Sequence, residues 1–299
     1  RGVDCGREKS TCFPVAAMRG ATFNTKLEEQ VGEAIAEEAI EAGANLFGGV
    51  CVNLPYHPGW GRAQEVYGED TFLLGEMGAA LIKGVQKKGV IVCVKHFAFN
   101  SMENSRFKVS VKCSKRTEQE VFLPHFRRCV EAGAGAFMSA YNSYQGELCG
   151  QQDYLLNHVL KDKWDFDGFV LSDFVWGIKD TVASVNGGLD MEMPITHYYG
   201  QNLLKAVKAG KVSEDTINRS SLRILRTLLA HQSEIDRNHG KTDYKKHQEL
   251  ALQCAREGIT LLRNKDHVLP IDCTDKRKKI VVLGYLADCE NIGDRGSSQ

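Results

Sequence analysis

The sequence predicts an α/β chain, most economically an α/β barrel. Three observations carry that expectation. Short β-branched or aromatic runs recur along the chain, longer segments of helical period separate them, and polar residues follow directly on several of the apolar runs. This is the pattern of parallel strands joined by helical crossovers. A doubly wound sheet would also place functional residues at strand ends, so both arrangements stay open at this point.

The first long helix is expected over residues 25–42. It opens with Thr25-x-x-Glu28, a capping box, and carries Leu27, Val31, Ile35 and Ala39 on one face at four-residue steps. Strands are expected at residues 45–47, 90–94, 136–139, 169–171 and 188–191. Between and after them, residues 71–88, 114–132, 153–163 and 213–231 repeat the helical design with Leu, Phe and Val stripes, the second shortened or kinked by Pro124. Beyond His231 the period lapses into a polar stretch, residues 232–241, that reads as a linker. A helix at 247–257, a strand at 259–262, a basic segment around 276–279 and a buried strand at 280–283 are expected to follow. The organisation expected is a barrel-type domain over residues 1–231 that lacks its N-terminal start, a connecting stretch over 232–278, and the beginning of a truncated second α/β domain over 279–299. So short a remainder cannot bury a sheet alone.

Composition excludes several classes. With 38 basic and 38 acidic side chains the charges cancel, which leaves no field to attract nucleic acid. The longest apolar run, from Val90 to Val94 between Lys88 and Lys95, is far short of the roughly 20 residues that span a bilayer, so no membrane partner is expected. Ten cysteines form no CxxC pair, and several sit in apolar stretches such as Ile91-Val92-Cys93-Val94, so they read as reduced core residues. Neither a metal nor a cofactor is expected. Residue 1 is Arg with no apolar leader behind it, so the N-terminus reads as cut or processed.

In an α/β barrel the reactive groups stand just past the strands, so each strand nominates its followers. These are Lys95 and His96, then Tyr141 and Asn142, then Asp173, then Asp190 and Glu192. Asp173 follows Gly168-Phe169-Val170-Leu171-Ser172. A carboxylate there can attack the anomeric carbon of a sugar, because the transition state is electrophilic, or it can cap a helix beginning near Gly177. Lys95 and His96 could donate to sugar hydroxyls, or serve as a salt-bridge partner and a satisfied core histidine. Arg62, in Gly59-Trp60-Gly61-Arg62, has Glu65 as a natural partner, and Arg106 lies in a polar loop of similar kind. Either arginine could equally be a solvated surface residue. Asp190 and Glu192 read as loop anchors.

Taken in order, Gly61-Arg62-x-x-Glu65-x-x-Gly68-Glu69-Asp70, Val94-Lys95-His96-Phe97, Met138-Ser139-Ala140-Tyr141-Asn142, Gly168-Phe169-Val170-Leu171-Ser172-Asp173 and Gly188-Leu189-Asp190-x-Glu192-Met193-Pro194 resemble glycoside hydrolase family 3. Thr11-Cys12-Phe13-Pro14, Leu261-Leu262-Arg263-Asn264 and Gly293-Asp294-Arg295-Gly296-Ser297 fit the flanks. The resemblance implies a (β/α)8-like TIM barrel, incomplete at its N-terminus, followed by the beginning of an α/β sandwich. It implies a retaining, exo-acting β-glycosidase of β-glucosidase or β-xylosidase type, acting on a small oligosaccharide or β-glycoside. Asp173 would be the nucleophile, and Arg62, Lys95, His96 and Arg106 would hold the sugar, with Met138 and Tyr141 lining the same subsite. Phe174 stands where the family usually has Trp, which keeps an aromatic wall but loses the indole N–H. The general acid/base would not lie in this chain. Other readings of the same residues are a sugar-binding protein with a defunct site and a Schiff-base aldolase at Lys95.

Overall fold

The computed structural model describes residues 10–238, 242–276 and 279–289. In chain order these form α1 (Ala16–Gly20), α2 (Thr25–Glu41), β1 (Leu46–Cys51), α3 (Thr71–Gln86), β2 (Ile91–Phe97), β3 (Ser110–Val111), α4 (Lys115–Thr117), α5 (Pro124–Glu131), β4 (Ala136–Ser139), β5 (Ser143–Tyr144), β6 (Glu147–Leu148), β7 (Phe169–Leu171), α6 (Thr181–Asn186), α7 (Gln201–Lys208), α8 (Glu214–Arg237) and α9 (Tyr244–Gly258). π-Helical segments at Glu118–Phe122 and Tyr154–Lys163 join the helical layer.

Strands β1, β2, β4 and β7 lie side by side in that order, all parallel. Along β2, Val92 and Val94 enter a core shared with Val31 of α2, Leu81 of α3 and Phe126 of α5. Ile91 and Cys93 point the other way, joining Ala136, Met138, Phe169 and Leu171 beneath Ile224 and Leu228 of α8. A parallel sheet covered on both faces needs apolar side chains at successive positions, which is why β2 reads as an unbroken apolar run. Close helix packing completes the outer layer: a Cβ on Gly84 of α3 would stand 2.0 Å from the Glu29 carbonyl of α2.

Several expectations are corrected. Among the described residues the sheet stays open at four strands, so the architecture is an α/β fold with a parallel sheet and no closed barrel. The segment at 188–191 contributes one bridge, Leu171 to Met191, and no strand. The Asp190 carboxylate there takes the Val170 N–H at 2.8 Å, consuming the donor that a longer ladder would use. Strand β1 runs to Cys51, well past the expected 45–47, because its ladder resumes after an irregularity at Gly48 and Gly49. Helix α2 is capped by Asn24, whose side chain accepts from Leu27 N at 3.1 Å, rather than by a Thr25 box. Glu28 is drawn away to Arg19 (2.8 Å) and the Tyr67 hydroxyl (2.7 Å).

The helix expected at 114–132 divides into α4, a π-helical turn and α5, with Pro124 opening α5, where its missing N–H costs nothing. Helix α8 continues through residues 232–237, read from sequence as linker, with Ile235 buried and Asn238 Nδ2 near the Lys88 carbonyl at 3.4 Å. Residues 259–262 and 280–283 form no strand and are exposed, for among the described residues no strand lies beside them to complete a ladder. Residues 1–9, 239–241 and 290–299, with the expected stub and the Gly293-to-Ser297 motif, lie outside the described residues, as do 277 and 278 within the basic segment. No described helix is long and apolar enough to cross a membrane. Cys51, Cys93, Cys129, Cys149 and Cys254 are buried free thiols.

Candidate active site

Parallel neighbours end on the same side, so the C-terminal ends of β1, β2, β4 and β7 gather the residues that follow them. Asp173, two residues past β7, is only 6% exposed. Its Oδ1 accepts from Phe174 N at 2.8 Å, and its Oδ2 accepts no hydrogen bond among the described residues. The chain folds back tightly here. Val175 takes a positive φ of 67°, costly for a β-branched residue, and a Cβ on Gly177 would stand 2.6 Å from the Asp173 carbonyl. Asp173 caps no helix, since Asp180 caps α6 by accepting from Ala183 N at 2.7 Å.

His96 Nε2 faces Asp173 Oδ2 at 3.8 Å and accepts from Arg62 Nη1 at 2.9 Å. The other arms of Arg62 grip Glu65, Nε to Oε1 at 2.8 Å and Nη2 to Oε2 at 2.7 Å. Lys95, the neighbour of His96 on β2, is buried, and its positive charge reaches both Asp173 and Glu65. Arg106 donates to Glu103 Oε2 at 2.5 Å and lies over the Tyr141 ring at 4.5 Å from the centroid. The Tyr141 hydroxyl donates to the Phe174 carbonyl at 2.7 Å.

Six of the polar residues nominated from sequence, Arg62, Lys95, His96, Arg106, Tyr141 and Asp173, therefore come together. Met138 lies in the apolar cluster on the α8 face of the sheet with Leu171, Met191 and Met193. Phe174 meets Asp173 and Tyr141 through its backbone, and its side chain is exposed. Asp190 and Glu192 anchor loops: Asp190 holds Lys161 and Ser220, and Glu192 accepts from Tyr198 N and Tyr199 N.

Sequence reasoning missed Asn53 and Glu103. Asn53 binds His96 at three points, and Glu103 joins Arg106 to the Trp60 indole at 3.1 Å. The strand-end rule would have found Asn53 had β1 been read through its glycines. Exposed Trp176 and Phe107 add an aromatic rim, their centroids 5.7 Å apart.

Burial dominates the electrostatics of the site. It raises the Asp173 carboxyl above its ordinary range, while the Phe174 N–H and the charges of Arg62 and Lys95 pull the other way. Burial, then the neighbouring Arg62, Lys95 and Arg106, push His96 well below the usual imidazole value, so it is neutral near pH 7. Burial would lower Arg62, but Glu65 outweighs it and holds the guanidinium charged. Among the described residues no group of three or more His, Cys, Asp or Glu is placed to hold a metal ion.

A buried carboxylate and converging cations at the C-terminal edge of a parallel sheet define an α/β protein with an enzyme-like site. Residues 2–227 match the glycosyl hydrolase family 3 N-terminal domain, and the chain belongs to that family. It is 38% identical over 292 residues to thermostable β-glucosidase B of Acetivibrio thermocellus, covering 97% of this chain and 38% of the relative. It is 34% identical over 297 residues to an exo-α-(1→6)-L-arabinopyranosidase of Bifidobacterium breve, covering 97% of this chain and 39% of that protein. The structure of β-glucosidase 3B from Thermotoga neapolitana in complex with glucose superposes with a TM-score of 0.83 at 34% identity, covering 91% of this chain and 40% of the other. The chain thus spans about two fifths of the length of these relatives.

Proposed function

We propose that the site serves a retaining, exo-acting β-glycosidase of β-glucosidase or β-xylosidase type, with a small oligosaccharide or β-glycoside as substrate. One observation carries this reading: a buried Asp173 oxygen accepts no hydrogen bond among the described residues and stands within a group of cationic and donor side chains. Asp173 Oδ2 attacks the anomeric carbon, forming an ester as the bond to the leaving oxygen breaks. A general acid protonates that oxygen, and water, giving up its proton to the same group now acting as base, then attacks the anomeric carbon, breaking its bond to Asp173 and returning the carboxylate.

Arg62, Lys95, His96 and Arg106 surround the bound sugar, Tyr141 and Met138 line the same subsite, and Phe174 offers an aromatic face beside it. Of the two carboxylates nearest the cluster, Glu65 is tied to Arg62 and Glu103 to Arg106, which suits neither to proton donation. We assign the general acid/base to a group outside these 299 residues. The same reading takes the barrel-type domain to run through the end of α8 at Arg237, with the stretch after it as connection. The name of the Acetivibrio relative and the glucose held by the Thermotoga enzyme support a glucose-like sugar.

The test is covalent capture. A 2-deoxy-2-fluoro-β-glucosyl fluoride should leave one sugar mass on the peptide that contains Asp173. Label on another residue, or none, overturns the assignment, and glucose binding without any ester would mark a binding protein instead.

A further inference from the structure

We infer that Asn53 is a positioning residue that, together with Arg62, fixes the tautomer of His96, so that the imidazole presents a bare ring nitrogen to the Asp173 carboxylate. Asn53 lies two residues past β1 and is buried. Its Oδ1 accepts from His96 N at 2.8 Å, and its Nδ2 donates to the His96 carbonyl at 2.9 Å. A backbone N–H can only donate and a carbonyl can only accept, so the amide has a single orientation. The same Oδ1 lies 3.1 Å from His96 Nδ1, and that nitrogen must therefore carry the hydrogen.

The opposite side of the ring gives the same answer independently. Arg62 Nη1, 2.9 Å from Nε2, has only hydrogens to offer, so Nε2 must supply a lone pair. Two fixed partners thus define one neutral tautomer. Its consequence falls on Asp173 Oδ2, 3.8 Å from Nε2: no N–H from His96 competes for the oxygen lone pair that attacks the sugar. An Nε2–H would set a partial positive charge 3.8 Å from that oxygen and make it a weaker nucleophile. The consequence for attack deepens the glycosidase reading and rests on it, whereas the tautomer does not.

Two measurements on the full chain decide the matter. In ¹⁵N-histidine-labelled protein without ligand, long-range ¹H–¹⁵N correlations of His96, identified by its loss in His96→Gln, should show a protonated Nδ1 and a bare Nε2. In Asn53→Leu the Nδ1 proton should lose its acceptor and its resonance should move upfield while Arg62 still holds Nε2 bare, and only Asn53→Leu combined with Arg62→Met should mix the two tautomers. A proton on Nε2 in the unsubstituted protein overturns the inference, whatever the variant does.

The second measurement is the rate of ester formation with the fluorinated glycoside. Asn53→Leu should slow it by roughly 10- to 100-fold. Introduced into His96→Ala, the same substitution should slow the reaction less than it does in the unsubstituted protein, because the ring contact is already gone while the two backbone contacts remain. Additive slowing overturns the inference. Absence of labelling in the unsubstituted protein defeats the glycosidase reading instead, and leaves the tautomer to be decided by the nitrogen spectra.

Discussion

Glu65 holds Arg62 by two parallel hydrogen bonds, 2.8 and 2.7 Å, so that the third arm of the guanidinium reaches His96 at 2.9 Å. Both partners are largely buried. A planar fork can satisfy a carboxylate and a ring nitrogen at once, and an ammonium cannot reproduce that geometry. Glu65→Ala should therefore destabilise the protein by about 3 kcal/mol in urea unfolding and weaken glucose binding in calorimetry. Arg62→Lys should not restore binding. A lysine variant that binds like the unsubstituted protein would show that the fork is dispensable.

Asp173→Ala should reduce glycoside hydrolysis by at least roughly 10⁴-fold. Added azide should then restore turnover and yield a glycosyl azide of inverted anomeric configuration, because the small anion attacks from the face that the carboxylate vacated. Proton NMR of the product reads the configuration directly, and a retained configuration contradicts Asp173 as nucleophile.

Asp173 must be ionised to attack, and burial raises its pKa, so the acid limb of the labelling rate should lie above the ordinary aspartate value of 3.8. Arg62→Met removes a charge that favours the carboxylate and should move the limb higher still. The stability effect has the opposite sense to that of a salt-bridged acid: the fold resists ionising Asp173, and stability falls as pH rises from the unfolded to the folded pKa. Asp173→Asn should accordingly melt higher than the unsubstituted protein at pH 7 and lose that advantage in acid. Equal melting temperatures at both pH values would contradict the burial argument.

His247 ties α9 to α2, with Nδ1 2.8 Å from Glu38 and Nε2 3.1 Å from Glu37. Burial alone would lower its pKa, but hydrogen bonds to the two glutamates outweigh it and raise the imidazole above 6.5. The contribution is complete below the unfolded value and fades as pH rises through the folded one. The glutamates are held low despite burial, so their share fades only as pH falls below the ordinary 4.5. Melting temperature should therefore decline from pH 6 toward alkaline pH, and His247→Gln should flatten that slope.

Phe137 of β4 is fully buried, its ring 5.7 Å from Phe97 and 5.0 Å from Phe166. Phe137→Ala should cost about 3–5 kcal/mol, measured by urea unfolding. A loss below 1 kcal/mol would mean that the aromatic cluster collapses around the gap.

What was legible in the sequence follows from range. Strands β2, β4 and β7 are buried on both faces and announce themselves as apolar runs, so Lys95, His96 and Asp173 could be nominated from position alone. Strand β1 hides its length because Gly48 and Gly49 carry no side chain to mark a face, and Asn53 went unnoticed beyond them. The contacts that organise the site join distant points of the chain, such as Asn53 to His96 and Trp60 to Glu103, each 43 residues apart. No local pattern encodes such a pair. The strand expected at 188–191 failed for a related reason: the Asp190 side chain, invisible to a period of two, takes the hydrogen bond that pairing would have used.

The thiols flanking the site carry a practical corollary. Burial pushes Cys51 up to about 11 and Cys93 and Cys149 up to about 12, so almost none of each exists as thiolate at neutral pH. An alkylating reagent can modify them only in molecules that have already opened. The rate at which these three sulfurs become tagged is thus a clock for breathing of the scaffold, one that runs without substrate, product or any added dye.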